Sequence, residues 1–85
     1  MTLIEVMLDD PEQVVNLMRA LPLGTRVEWF DSYRQWRGPY TVIEYGIYYS
    51  SVACARAECS TGFITVQSSM RTVSGAECRI YTGSN

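Results

Sequence analysis

The sequence predicts an α+β domain in which one N-terminal amphipathic helix packs on a mainly antiparallel sheet of about four to five strands. Three observations point there. Residues 10–21 carry apolar side chains at helical spacing between a start signal and a stop signal. From Thr25 onward the chain is a run of short alternating segments broken by Gly, Pro, Ser and Asp. The helix also precedes that run instead of alternating with strands. This order favours a helix against an antiparallel sheet over parallel βαβ units, and the Tyr-rich strands are too amphipathic for a sheet buried on both faces.

The first expected element is a strand over Leu3–Leu8, with Ile4, Val6 and Leu8 on one face and Leu3, Glu5 and Met7 on the other. The helix follows. Asp10 is a suitable N-cap, Pro11 suits the first helical position, Glu12 lies in the first turn, and Gln13 stands three residues after the cap. Val14, Leu17, Met18 and Leu21 share one face, which reads as core; Arg19 lies near the C-terminal end, and Pro22 and Gly24 stop the helix.

Thr25–Phe30 reads as the next strand, with Val27 and Trp29 alternating against Arg26 and Glu28. Asp31-Ser32 reads as a turn, Tyr33–Arg37 as the returning strand of a hairpin, and Gly38-Pro39 as another turn. Tyr40–Tyr49 is the longest strand candidate. Strict alternation puts Ile43, Tyr45, Ile47 and Tyr49 on one face and Val42, Glu44, Gly46 and Tyr48 on the other, with Gly46 as a place for a bulge or bend. Residues 50–60 fit either a short Ala-rich helix or a strand. Phe63–Gln67 is a strand that Ser68–Val73 can extend. Ser74-Gly75 is a hairpin signal, and Ala76–Tyr81 closes the sheet. At 85 residues the chain is expected to be one domain over 1–85, with 82–85 as a loose C-terminal tail.

Composition narrows the functional classes. A hydrophobic share of 47% is that of a globular chain rather than a disordered one. The N-terminal MTLIEVMLDD has no basic region ahead of its apolar run and does not read as a signal peptide, and no apolar stretch approaches the ~20 residues needed to cross a bilayer. The expectation is a soluble cytoplasmic protein without membrane contact. There is no histidine, so the commonest general base, the Ser-His and Cys-His pairs and the commonest metal ligand are missing. There is no lysine either, which removes Schiff-base chemistry and the phosphate-loop lysine. With a net charge of −2, the chain lacks the basic footprint of a duplex binder.

The remaining candidates for chemistry are carboxylates and thiols. Glu28 and Asp31 flank an aromatic cluster and form the one acid pair to consider for hydrolysis, but a solvated strand and a turn explain them. Cys54, Cys59 and Cys78 are odd in number and lack zinc-knuckle spacing, so they read as small buried hydrophobes rather than disulfides or metal ligands. Arg56 lies close in sequence to Cys54 and Cys59, and a neighbouring cation favours a thiolate, but buried inert thiols explain them better. No catalytic residue, cofactor or metal is expected.

The segment WFDSYRQWRGPY, Trp29–Tyr40, stands apart. It holds both tryptophans and interleaves aromatic rings with Arg34 and Arg37. Trp, Tyr and Arg are the residue types most enriched at binding hot spots. The candidate partner-binding residues are Trp29, Tyr33, Arg34, Trp36, Arg37 and Tyr40, and Tyr45, Tyr48, Tyr49 and Tyr81 can widen that surface. Three readings follow: a non-enzymatic protein-binding inhibitor, a single-stranded nucleic-acid binder that stacks bases on the same rings, and a small structural subunit, monomeric or homodimeric. Net acidity and the absence of an RNA-recognition aromatic motif favour the first.

In size, acidity and single-domain α+β outline, the chain resembles the small inhibitor proteins that phages use against bacterial machinery, of which anti-CRISPR proteins are the best-known group. The resemblance is one of outline and transfers no residue role. It implies a stoichiometric binder, in the host-cell cytoplasm, that blocks a nucleic-acid site or holds a nuclease inactive.

Overall fold

Asp10 turns the chain between two helices. The computed structural model describes residues 2–48 and 52–83; it opens with α1, Leu3–Asp9, followed by α2, Pro11–Ala20. The strand expected over Leu3–Leu8 is therefore a helix. Thr2 Oγ1 accepts a hydrogen bond from the Glu5 amide at 3.2 Å, so Thr2-Leu3-Ile4-Glu5 forms a helix start with an acid in the first turn. Leu3 and Val6, three residues apart, then reach the core. A short apolar run fits either period, and here the cap decides. α2 follows the expected pattern. Asp10 Oδ1 accepts from the Gln13 amide at 3.3 Å, and Val14, Leu17 and Leu21 are fully buried.

The strands are β1 (Arg26–Phe30), β2 (Trp36–Tyr48), β3 (Val52–Cys59), β4 (Gly62–Gln67) and β5 (Cys78–Ile80). Among the described residues they form one antiparallel sheet in the order β4-β3-β2-β1-β5. The fold is thus α+β, with two helices where one was expected. No helix among the described residues is long and apolar enough to cross a membrane.

The ambiguous segment 50–60 is a strand from Val52 onward; Tyr49, Ser50 and Ser51 lie outside the described residues, as do Ser84 and Asn85 of the expected tail. Ala53, Ala55 and Ala57 alternate into the core, where small side chains let α2 lie close to the sheet. Two polar ties fix that packing. The Ala53 amide donates to Gln13 Oε1 at 2.8 Å, and the Tyr45 hydroxyl donates to the Leu21 carbonyl at 2.8 Å.

Two irregularities in β2 overturn the expected faces. One extra residue, Ile43, stands between the Val42–Ala57 and Glu44–Arg56 pairs. The alternation reverses there, so Val42, Tyr45 and Ile47 all meet the core while Ile43 is 45% exposed. Gly46 pairs regularly with Cys54 and is not the bulge. The second irregularity is at Gly38-Pro39, opposite Glu28, between the Val27–Tyr40 and Trp29–Arg37 pairs. The expected turn is absorbed there as a bulge inside the strand, a position that tolerates proline.

After β4 the chain does not extend as a strand. The Gln67 amide donates to the Arg71 carbonyl at 2.8 Å, while the Cys78 amide donates to the Met70 carbonyl and the Phe30 amide to the Glu77 carbonyl, both at 2.9 Å. Thr72 bridges Val66 and Arg71 bridges Glu77. The segment 68–77 therefore ties β4, at one end of the strand order, to β5 and β1 at the other, and the sheet curls around its core. Ser74-Gly75 turns as expected, with the Gly75 amide donating to the Thr72 carbonyl at 2.8 Å. The closing strand is shorter than expected, Cys78–Ile80.

Candidate functional site

The β1–β2 connection is organised by Asp31. Its Oδ1 accepts from the Tyr33 and Gln35 amides at 2.8 and 2.9 Å, and its Oδ2 pairs with the Arg37 guanidinium. These bonds take amides that a ladder would otherwise use, so residues 32–34 form a turn and bend and the returning strand starts at Trp36 instead of Tyr33. Arg34 sits at φ 63 in the left-handed region. Hydrogen bonds from Arg37, Gln35 and Tyr33 hold the Asp31 carboxyl below its usual value, with the Arg37 bond the strongest influence and burial opposing them.

Five of the six expected contact residues converge. Trp29, Tyr33, Arg37 and Tyr40 line a shallow groove of about 300 Å³ beside Asp31. An adjoining groove of about 570 Å³ is lined by Trp36, Arg37, Tyr40 and, from the β3–β4 turn, Cys59 and Thr61. Arg37 and Tyr40 belong to both. Tyr33 is 78% exposed at the tip. Arg34 is exposed on the turn and lines neither groove. Trp29 and Tyr40 have a second role, since both pack against the core.

Trp36 also faces the side of the sheet away from the helices. There it meets Phe30 at 5.1 Å between ring centroids, and the Arg79 guanidinium lies 3.8 Å from its ring. Arg79 Nε in turn donates to Glu28 Oε1 at 3.0 Å. The pattern repeats across the face. Arg56 lies 4.0 Å from the Phe63 ring and pairs with Glu58 at 3.0 Å and Glu44 at 3.8 Å, and Arg26 lies 5.2 Å from the Tyr81 ring. Sequence reasoning missed Arg56, Phe63 and Arg79 as members of this surface, and left Phe30, inside the Trp29–Tyr40 segment, out of the contact residues. Alternation within each strand places them outward, but the β1–β5 pairing that brings Arg79 to Trp36 joins residues 51 positions apart for Glu28 and Arg79. No local pattern carries that pairing.

The candidates for chemistry are otherwise occupied. Glu28 pairs with Arg79 and Asp31 with Arg37, so each of the two carboxylates has its own guanidinium partner. Arg56 is engaged with Glu44, Glu58 and Phe63. Burial pushes the Cys54 and Cys78 thiols up to about 11, as expected of buried hydrophobes. Cys59 departs from that expectation. It is half-buried, its sulfur lies 3.1 Å from Thr61 Oγ1, and that contact lowers its thiol below the usual value. Among the described residues, no three or more Cys, Asp or Glu side chains are grouped to hold a metal ion.

No protein-family model, curated protein or solved structure matches the chain.

Proposed function

We propose that this chain is a non-enzymatic protein-binding inhibitor that occludes a functional site on a partner complex, with the β1–β2 hairpin and the outward sheet face as its contact surface. The observation that carries the reading is charge compensation on that surface. Arg37, Arg56 and Arg79 each pair with a carboxylate, and Arg56 and Arg79 also lie over aromatic rings. A track for single-stranded nucleic acid needs cations left available for phosphates. Arg26 and Arg34 are in none of the ion pairs among the described residues, but a surface on which three of five guanidiniums are already held and neutralised suits a protein partner, because less side-chain freedom remains to be lost on binding. The outline likeness to phage inhibitors of the anti-CRISPR type supports the step from binder to inhibitor.

The test is affinity capture from a bacterial lysate with and without nuclease treatment, using the natural chain and Trp36→Ala. A protein complex retained after nuclease and lost with Trp36→Ala supports the proposal. Recovery of nucleic acid that disappears with nuclease moves the surface to base stacking and overturns it.

A further inference from the structure

The outward side of α1 carries a second contact surface, independent of the hairpin reading. Leu3 and Val6 turn towards the core. Ile4 and Leu8 stand one helical turn apart on the other side, 70% and 79% exposed, with Met7 beside them at 40%. The next row round the helix is Glu5 and Asp9, again one turn apart. None of the ion pairs among the described residues involves either acid. Glu12 lies in the first turn of α2, and Arg19, near the far end of α2, is the only cation in residues 3–20.

These two rows select among occupants. A second copy of this helix brings no basic row to face the acids: packed antiparallel it sets acids against acids, and packed parallel it leaves both acidic rows unmatched; an anionic bilayer would repel them. A helix carrying one apolar row and one basic row at the same four-residue spacing matches both. We infer that the Ile4–Leu8 stripe, with Glu5 and Asp9 beside it, is a docking site for a basic amphipathic helix of a partner protein.

The probe is a short synthetic Leu/Lys amphipathic helix, with a twin in which every Lys is Glu, titrated into the intact chain and followed by amide chemical shifts. The Leu/Lys peptide shifts residues 3–12 and loses affinity by about fivefold or more as salt screens the acidic row; the Leu/Glu twin does not bind. Leu8→Ser, at an exposed position, weakens binding by about tenfold or more, whereas Trp36→Ala, on the hairpin surface, leaves it unchanged. Equal binding of the twin, shifts centred away from α1, or self-association through α1 that Leu8→Ser abolishes would each overturn the inference.

Discussion

The Arg79 guanidinium lies 3.8 Å from the Trp36 ring, so β5 completes a surface that β1 and β2 begin. The contact is exposed enough to matter little for folding and placed well enough to orient both groups. Arg79→Ala is expected to change stability by less than about 1 kcal/mol. It should also shift the tryptophan fluorescence and weaken partner binding. Calorimetric melting and titration with the captured partner separate the two effects. A loss of binding no larger for Arg79→Ala than for Arg19→Ala, on the helix layer, contradicts the assignment.

Asp31 makes the hairpin sensitive to acid. Its carboxyl is held below the unfolded value of about 3.9, chiefly by the Arg37 bond. The stabilisation is therefore fully present above that value and disappears as pH falls through the lower folded-state pKa. Melting temperature of the natural chain should decline below about pH 4, and Asp31→Asn should have a shallower decline over the same window. Parallel profiles for the two chains would show that Asp31 does not carry the effect.

The three thiols should react at different rates. Cys54 and Cys78 stay protonated near neutral pH because burial pushes them to about 11, whereas Cys59 is half-buried and lowered by Thr61. A disulfide reagent at neutral pH is expected to label Cys59 in the native chain, and Cys54 and Cys78 only once the chain unfolds. Cys59→Ser removes the native labelling phase.

Gly38 is required by its surroundings. It has φ 135, and a Cβ there would meet the Val27 carbonyl oxygen at 2.9 Å and the Tyr40 nitrogen at 3.2 Å. Gly38→Ala is expected to cost about 1–3 kcal/mol, read as a lower denaturant midpoint at unchanged slope. Arg34→Gly should cost under about 1 kcal/mol, because the left-handed conformation of Arg34 suits glycine. It therefore removes a guanidinium from the tip without unfolding it.

What was legible in the sequence was what short-range chemistry determines. Asp10, Pro11 and Gln13 mark the start of α2 because capping acts over three residues. Val27, Trp29 and Phe63–Gln67 read as strands because alternation is local. Thr2-x-x-Glu5 was an equally local signal for α1, masked by the apolar run that follows it. The Ile43 bulge was not legible, since one inserted residue reverses the faces without altering composition. Nor was the decision between helix and strand at 52–59, which depends on α2 needing the Ala53, Ala55 and Ala57 side chains beneath it. For the site, the Trp29–Tyr40 segment was visible as a cluster. Its division between groove, outward face and exposed turn follows from the strand starting at Trp36 and from long-range pairing with β5.

The most direct measurement of the central claim is the affinity of the captured partner for Trp36→Ala, set beside the melting temperature of that variant. The account predicts binding weakened by at least about tenfold, ~1.4 kcal/mol, with melting within a few degrees of the natural chain. Unchanged affinity, or a variant that no longer folds, would show that Trp36 belongs to the framework rather than to the contact surface.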